Sequence, residues 1–161
     1  MEKLMDNTEK AKKILAENIY CTVATATPEG KPWISPVFFV YDGAYNIYWA
    51  SNKNALHSEL IRKNPRVAIV IFDTHAPEGA GTAVYMEATT EELSKEEDVA
   101  AGIELFNARA TGDDFKIKSP ADVTGEGVWR IYKAVPTQIS LLENGEYING
   151  QYVDKRVPVD L

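Results

Sequence analysis

Residues 21–73 read CTVATATPEGKPWISPVFFVYDGAYNIYWASNKNALHSELIRKNPRVAIVIFD, and their pattern predicts three strands, a short helix and a fourth strand. Tyr20 to Thr25 is rich in β-branched residues and stops at Pro28-Glu29-Gly30. Trp33 to Tyr41 is aromatic and β-branched, and Asp42-Gly43 signals a two-residue hairpin. Tyr45, Ile47 and Trp49 then alternate with Asn46, Tyr48 and Ala50, which gives that strand one more apolar face. The polar segment Ser51-Asn52-Lys53-Asn54 leads into a helix from about Ala55 that ends near Asn64-Pro65. Val67, Ile69 and Ile71 open the next strand at once.

Outward from this core, Ala11, Ile14, Leu15 and Ile19 follow helical spacing and predict a helix before about Asn18, a lid over one end of the sheet. Downstream, residues 74–81 have the composition of a solvated loop. A fifth strand is expected from Thr82 to Leu93. Ser94-Lys95-Glu96-Glu97 reads as a capping box opening a helix, with Val99, Ile103, Phe106 and Ala110 as its stripe and Gly112 as its stop. Residues 113–127 read as loop with one helical turn after Ser119-Pro120. Val128 to Leu142 is a sixth strand, with Pro136 at a bulge or an edge. Asn144-Gly145 and Asn149-Gly150 are turn signals, so the tail is expected to add a short hairpin. The fold class is therefore mainly β with flanking helices. Five or six antiparallel strands are closed or nearly closed into a barrel, in one domain over residues 1–161.

A formal charge of −7 leaves no basic excess to displace counterions from nucleic acid or to meet an anionic membrane. The single cysteine, Cys21, excludes an internal disulfide and is expected as a buried, inert thiol. No apolar run approaches a membrane span and the N-terminus is too charged for a signal peptide, so the cytoplasm is the expected compartment. His57, His75 and Cys21 lack metal-ligand spacing, and no metal is expected. Glycine-rich dinucleotide and phosphate-loop motifs are absent, as is a Gly-x-Ser-x-Gly elbow.

Two stretches carry chemistry. At the first, Ser51, Lys53 and His57 surround the expected helix start, where the N–H groups of Lys53 to Leu56 and the helix dipole could cradle a phosphate. Plain capping by Ser51 or Asn54, with Lys53 solvated, accounts for the same residues and is the simpler reading of them alone. The second is Trp33-Ile34-Ser35-Pro36-Val37. There Pro36 removes a ladder donor and would leave backbone groups free for the edge of a planar heterocycle, or would merely curve the barrel.

The ordered set Val23-Ala24-Thr25, Gly30-Lys31-Pro32, Ser35-Pro36-Val37, Tyr48-Trp49-Ala50-Ser51, His57-Ser58 and Asn64-Pro65-Arg66-Val67 resembles the pyridoxamine 5′-phosphate oxidase-like flavoproteins. That group includes general stress and nitroimidazole-resistance members. Val84-Tyr85-Met86-Glu87 and Tyr132 to Pro136 extend the likeness. The resemblance implies a six-stranded antiparallel split β-barrel acting as a homodimer, with FMN at each of two interface sites. It implies that the strand Trp33–Val37 lies along the flavin ring, and that Ala50, Ser51 and His57 meet the ribityl phosphate, with Lys53 nearby. Trp129 and Lys133 are the nearest matches to residues contributed by the partner chain. The oxidase proper carries an arginine where this chain has Ser35 and a lysine where it has Val40. Oxidation of pyridoxamine phosphate is thus put in doubt, and other branches of the fold bind the deazaflavin F420 or heme. The expectation is an FMN-dependent oxidoreductase for a small soluble molecule with no catalytic acid or base assigned. A non-catalytic flavin-binding or sequestering protein, an F420-binding relative and a decayed, purely dimeric barrel are the alternatives.

Overall fold

The computed structural model describes residues 6–161; the first five residues of the expected single domain lie outside the described chain. Helix α1 spans Asn7–Glu17, and Asp6 caps it by accepting from the Glu9 N–H. The strands are β1 Tyr20–Ala26, β2 Pro32–Phe38, β3 Val40–Tyr41, β4 Ile47–Asn52, β5 Arg66–Phe72, β6 Ala83–Glu92, β7 Trp129–Ile148 and β8 Gln151–Pro158. Helix α2 spans Leu56–Lys63 and α3 Glu96–Arg109. Short 3-10 turns at Asp113–Phe115 and Pro120–Asp122 interrupt the loop before β7.

One antiparallel sheet runs in the order β2-β1-β5-β6-β7-β4-β3, with β8 added to β7. The six strands expected become eight for two local reasons. The tail forms a ribbon, and the stretch Trp33 to Tyr41 breaks at Phe39, whose side chain is fully buried and whose N–H donates to Ile19 C=O at 3.2 Å. The path is open, since no ladder joins β2 to β3, which is the nearly closed form of the expected barrel. Its two ends are nonetheless consecutive pieces of chain separated only by Phe39. The sheet must therefore curl until its first and last strands meet.

Inside the curl, Phe39, Trp49, Ile69, Ile71, Met86, Tyr132 and Leu141 form the main core, and Ala11, Ile14 and Leu15 of α1 join it as the expected lid. Trp49 stacks on Tyr132 with centroids 5.6 Å apart. Burial of each such side chain contributes about 2–3 kcal/mol. A second cluster of Val40, Tyr48, Leu93, Val99, Val123 and Ile131 lies where α3 packs on the sheet. A Cβ at Gly102 would come within 3.1 Å of Ile131, so a larger residue there would push the Ile131 side chain aside by a few tenths of an ångström.

Several turn signals resolve differently from their simplest reading. Asp42-Gly43 does not make a two-residue hairpin: Tyr41 pairs with Ile47, and Tyr45 takes the positive φ of 58°. The Asp42 carboxylate organises this loop by accepting from Ala44 N, Asn46 N, Asn46 Nδ2 and Tyr48 Oη at 2.8–3.0 Å. Burial pushes its carboxyl upward, but those hydrogen bonds prevail and hold it below the usual range. The expected capping box at Ser94 does not form, since Lys95 is the N-cap of α3 and makes no side-chain bond. A capping box exists instead at Ser119 and Asp122. Helix α3 stops at Arg109, before Gly112. Pro136 marks the expected bulge, with Ala88 facing Pro136 while Glu87 faces Gln138. Asn144-Gly145 stays within β7 at a register shift, whereas Asn149 and Gly150 turn the tail ribbon with φ of 51° and 79°. Cys21 is buried, and its thiol is pushed up to about 12, first by that burial, which makes it inert at neutral pH.

Candidate functional site

The two stretches that stood apart in sequence meet in space. Ser35 Oγ of β2 lies 3.1 Å from His57 Nδ1 of α2, and Trp33 Nε1 donates to the same Ser35 oxygen at 3.2 Å. The other ring nitrogen, His57 Nε2, is buried and has no partner among the described residues. Desolvation lowers the His57 pKa, so the neutral ring dominates at neutral pH. Among the described residues the N–H groups of Leu56, His57 and Ser58, the first turn of α2, donate to nothing. A partnerless imidazole nitrogen beside free helix-start donors suits one anionic ligand. Exposed Glu59 in the same turn opposes it only through water.

The phosphate cradle is narrower than Lys53 to Leu56. Lys53 N–H donates to Val128 C=O at 2.9 Å, Asn54 N–H to Asn52 Oδ1 at 2.8 Å, and Ala55 N–H to Asn52 C=O at 3.0 Å. Of those four groups only Leu56 N–H stays free. The Lys53 ammonium is not poised alone either, because it donates to Glu126 C=O at 3.3 Å. Capping by Ser51 or Asn54 fails as well: the N-cap is Ala55, which makes no side-chain bond, and Ser51 is buried. Asn52 does the ordering instead. Its side chain forms an Asx-type turn and its carbonyl also accepts from Ser58 Oγ at 2.8 Å.

On β2 no bulge forms at Pro36. Its ladder with β1 runs without a shift from Tyr20↔Phe38 to Ala26↔Pro32. Proline is tolerated there because β2 ends the sheet path and one of its edges is unpaired. Trp33 and Ile34 are exposed, Ser35 is half-buried, and Val37 turns into the core.

Ala50 and Trp129 line a cavity of about 460 Å³, floored by Phe106, Phe115, Ile117 and Val123 and rimmed by Asp114, Lys116, Asp122 and Glu126. Lys133 lies elsewhere on β7, with its ammonium 5.7 Å from the centre of the Tyr48 ring. Sequence reasoning missed this cavity because residues 113–127 read as loop with one helical turn. The signal was there in Phe115, Ile117 and Val123, three apolar side chains that such a loop does not need. Val40, where the oxidase proper has a lysine, is buried against Tyr48 and Val99. Among the described residues no group of His, Cys, Asp and Glu could hold a metal ion, and no helix is long and apolar enough to cross a membrane.

No curated protein sequence matches the chain. Among solved structures, a heme binding protein from Mycobacterium smegmatis superposes with a TM-score of 0.71 at 18% identity, over 97% of this chain and 59% of its own. The chain thus spans less than two thirds of that protein. A candidate 5-nitroimidazole antibiotic resistance protein from Bacteroides thetaiotaomicron gives 0.69 at 17% identity, over 85% of this chain and 84% of its own. A FAD-binding protein from Mesorhizobium loti gives 0.61 at 19% identity, over 82% and 91%. These likenesses establish the split-barrel fold. The pyridoxamine 5′-phosphate oxidase family model matches residues 7–133, and the chain belongs to that family.

Proposed function

We propose that the chain binds FMN at the junction of β2 and α2 and uses it to oxidise or reduce a small soluble molecule. The observation that carries this reading is the Ser35–His57 contact with His57 Nε2 left buried and partnerless at the start of α2. A buried ring nitrogen left without a partner there is costly unless a ligand meets it, by about 1–3 kcal/mol. In the reading, His57 and the N–H groups of Leu56 to Ser58 take the phosphate, with Ser51 and Lys53 shaping the loop behind. Trp33, Ile34 and the free edge of β2 line the ring, and Ala50 borders it. Bound FMN would supply reversible one- and two-electron chemistry at its ring. The chain's own part is to hold that ring and keep water from it; no side chain here is assigned as acid or base.

Membership of the family and a FAD-binding structural relative support a flavin. A single anion corner favours FMN over a dinucleotide. Oxidation of pyridoxamine phosphate itself is expected to be poor: Ser35 and Val40 forgo two charge-assisted phosphate contacts, a loss of about 2–5 kcal/mol in total. The protein purified from cells should be yellow, with absorption at flavin positions that bleaches under NADH or NADPH. A heme-type band in place of flavin would overturn the cofactor. A flavin that stays oxidised with every donor would leave a sequestering protein, the alternative reading.

The chain is further proposed to work as a homodimer. Trp33, Ile34, Leu56, Phe115, Val128 and Trp129 are all 44–64% exposed around this region, more apolar surface than an isolated site comfortably shows to water. In the dimer Trp129 and Lys133 would reach the partner's flavin. Light scattering should give twice the 17.9 kDa chain mass, and a clean monomer with flavin bound would remove the shared site.

A further inference from the structure

One ion network touches both walls of this region. Glu92, the last residue of β6, accepts on Oε2 from Arg62 Nη1 and from Tyr132 Oη, each at 3.0 Å, and its Oε1 lies 3.3 Å from Arg130 Nε. Each guanidinium then reaches past the carboxylate to backbone. Arg62 Nη2 donates to Lys53 C=O at 2.8 Å, which orients the loop before α2. Arg130 Nη1 donates to Gly127 C=O at 2.8 Å and Trp129 C=O at 2.6 Å, and Nη2 to Gly125 C=O, which fixes the segment rimming the cavity. Arg130 is also the register partner of Ser51. The Arg130 side chain is only 12% exposed, so water screens its part of the network weakly.

We propose that Glu92 is a positioning residue for the phosphate end of the flavin site. Through Arg62 and Arg130 it holds the β4–α2 loop against the β7 entry, in the arrangement that leaves the first-turn N–H groups of α2 and His57 Nε2 without protein partners. The inference rests on the flavin reading above. It is specific to the phosphate end, since the network contacts neither Trp33 nor Ile34. Loss of the network should therefore weaken FMN while sparing riboflavin, which has the same ring and no phosphate.

The test is a fluorescence titration of the full-length apoprotein with both ligands, in the parent, Glu92→Gln and Arg62→Lys. Glu92→Gln keeps the side-chain size and removes the counter-charge of both arginines. Arg62→Lys keeps the charge, but one ammonium cannot span Glu92 and the Lys53 carbonyl as a guanidinium fork does. In each variant the Kd for FMN should rise about tenfold, with that for riboflavin within about twofold of the parent. Arg62 is 42% exposed, so Arg62→Lys is expected to fold and decides the matter if Glu92→Gln does not. Equal weakening of both ligands, or an unchanged FMN-to-riboflavin ratio, overturns the positioning role. A parent that binds neither flavin brings down the flavin reading and this inference together. A parent that prefers FMN, with an indifferent Arg62→Lys, brings down this inference alone.

Discussion

Arg109→Met is expected to destabilise the fold by about 3–5 kcal/mol, a large share of the usual stability of one domain. Arg109 has no carboxylate partner among its hydrogen bonds. Its guanidinium donates to Asn18 C=O at 2.6 Å, Leu15 C=O at 2.9 Å, Phe39 C=O at 3.0 Å and Ala16 C=O at 3.2 Å. Leu15 and Ala16 are among the last carbonyls of α1, where the negative end of the helix dipole already favours a cation. Phe39 is the break that lets the sheet curl, and the guanidinium also stacks 4.6 Å from the centre of its ring. One side chain thus ties the end of α3, the end of α1 and the β2–β3 junction. Methionine fills similar volume but leaves those acceptors without donors, and water can recover only some of them. The melting temperature should fall by roughly 10 °C. Arg109→Lys should recover less than half of that, because one ammonium cannot reach four acceptors on two segments. A methionine variant melting within about 2 °C of the parent would show that solvent already serves these carbonyls.

That hub was not legible in the sequence, and the reason is physical. Arg109 sits at the end of an amphipathic helix, where a basic residue is expected on dipole grounds alone and needs no tertiary partner. The strand-forming stretches, by contrast, were readable, because β-branched and aromatic runs bounded by Pro, Gly and Asn are local signals that packing reinforced. Phe39 was hidden within such a run: nothing local distinguishes a buried residue that continues a strand from one that breaks it. The loop at Asp42-Gly43 misled because Asp42 gathers four donors and stabilises a longer turn than its dipeptide suggests. Of the candidate site, the residue types at Ser35 and His57 were legible, but their contact was not. It depends on how the curled sheet brings β2 over α2, and that is a property of the whole path. Glu92, Arg62 and Arg130 gave no sequence signal for the same reason, Arg62 and Arg130 standing 30 and 38 residues from Glu92.

His57→Gln should weaken FMN binding by about ten- to a hundredfold at neutral pH, the worth of one charge-assisted hydrogen bond, and should also flatten its pH dependence. Burial lowers the His57 pKa in the free protein, so the ring is neutral there. A phosphate meeting Nε2 favours the imidazolium and raises that pKa. Binding then takes up a proton in the window between the two values, and affinity must rise as pH falls through it. In the parent, FMN should bind about three- to tenfold tighter near pH 6.5 than near pH 8. The lower bound is set by the phosphate, whose second ionisation lies near about pH 6. Riboflavin should show no such trend. Folding of the apoprotein carries the opposite sign. The unfolded His57 takes up a proton near its ordinary value of about 6.5 and the folded one resists, so stability is full above that pH and falls as the solution is acidified. Both trends should vanish in His57→Gln, which can still bond Ser35 but cannot titrate. If the glutamine variant keeps the parent's pH profile for FMN, the phosphate does not meet His57, and the anion corner must be sought on another face of the barrel.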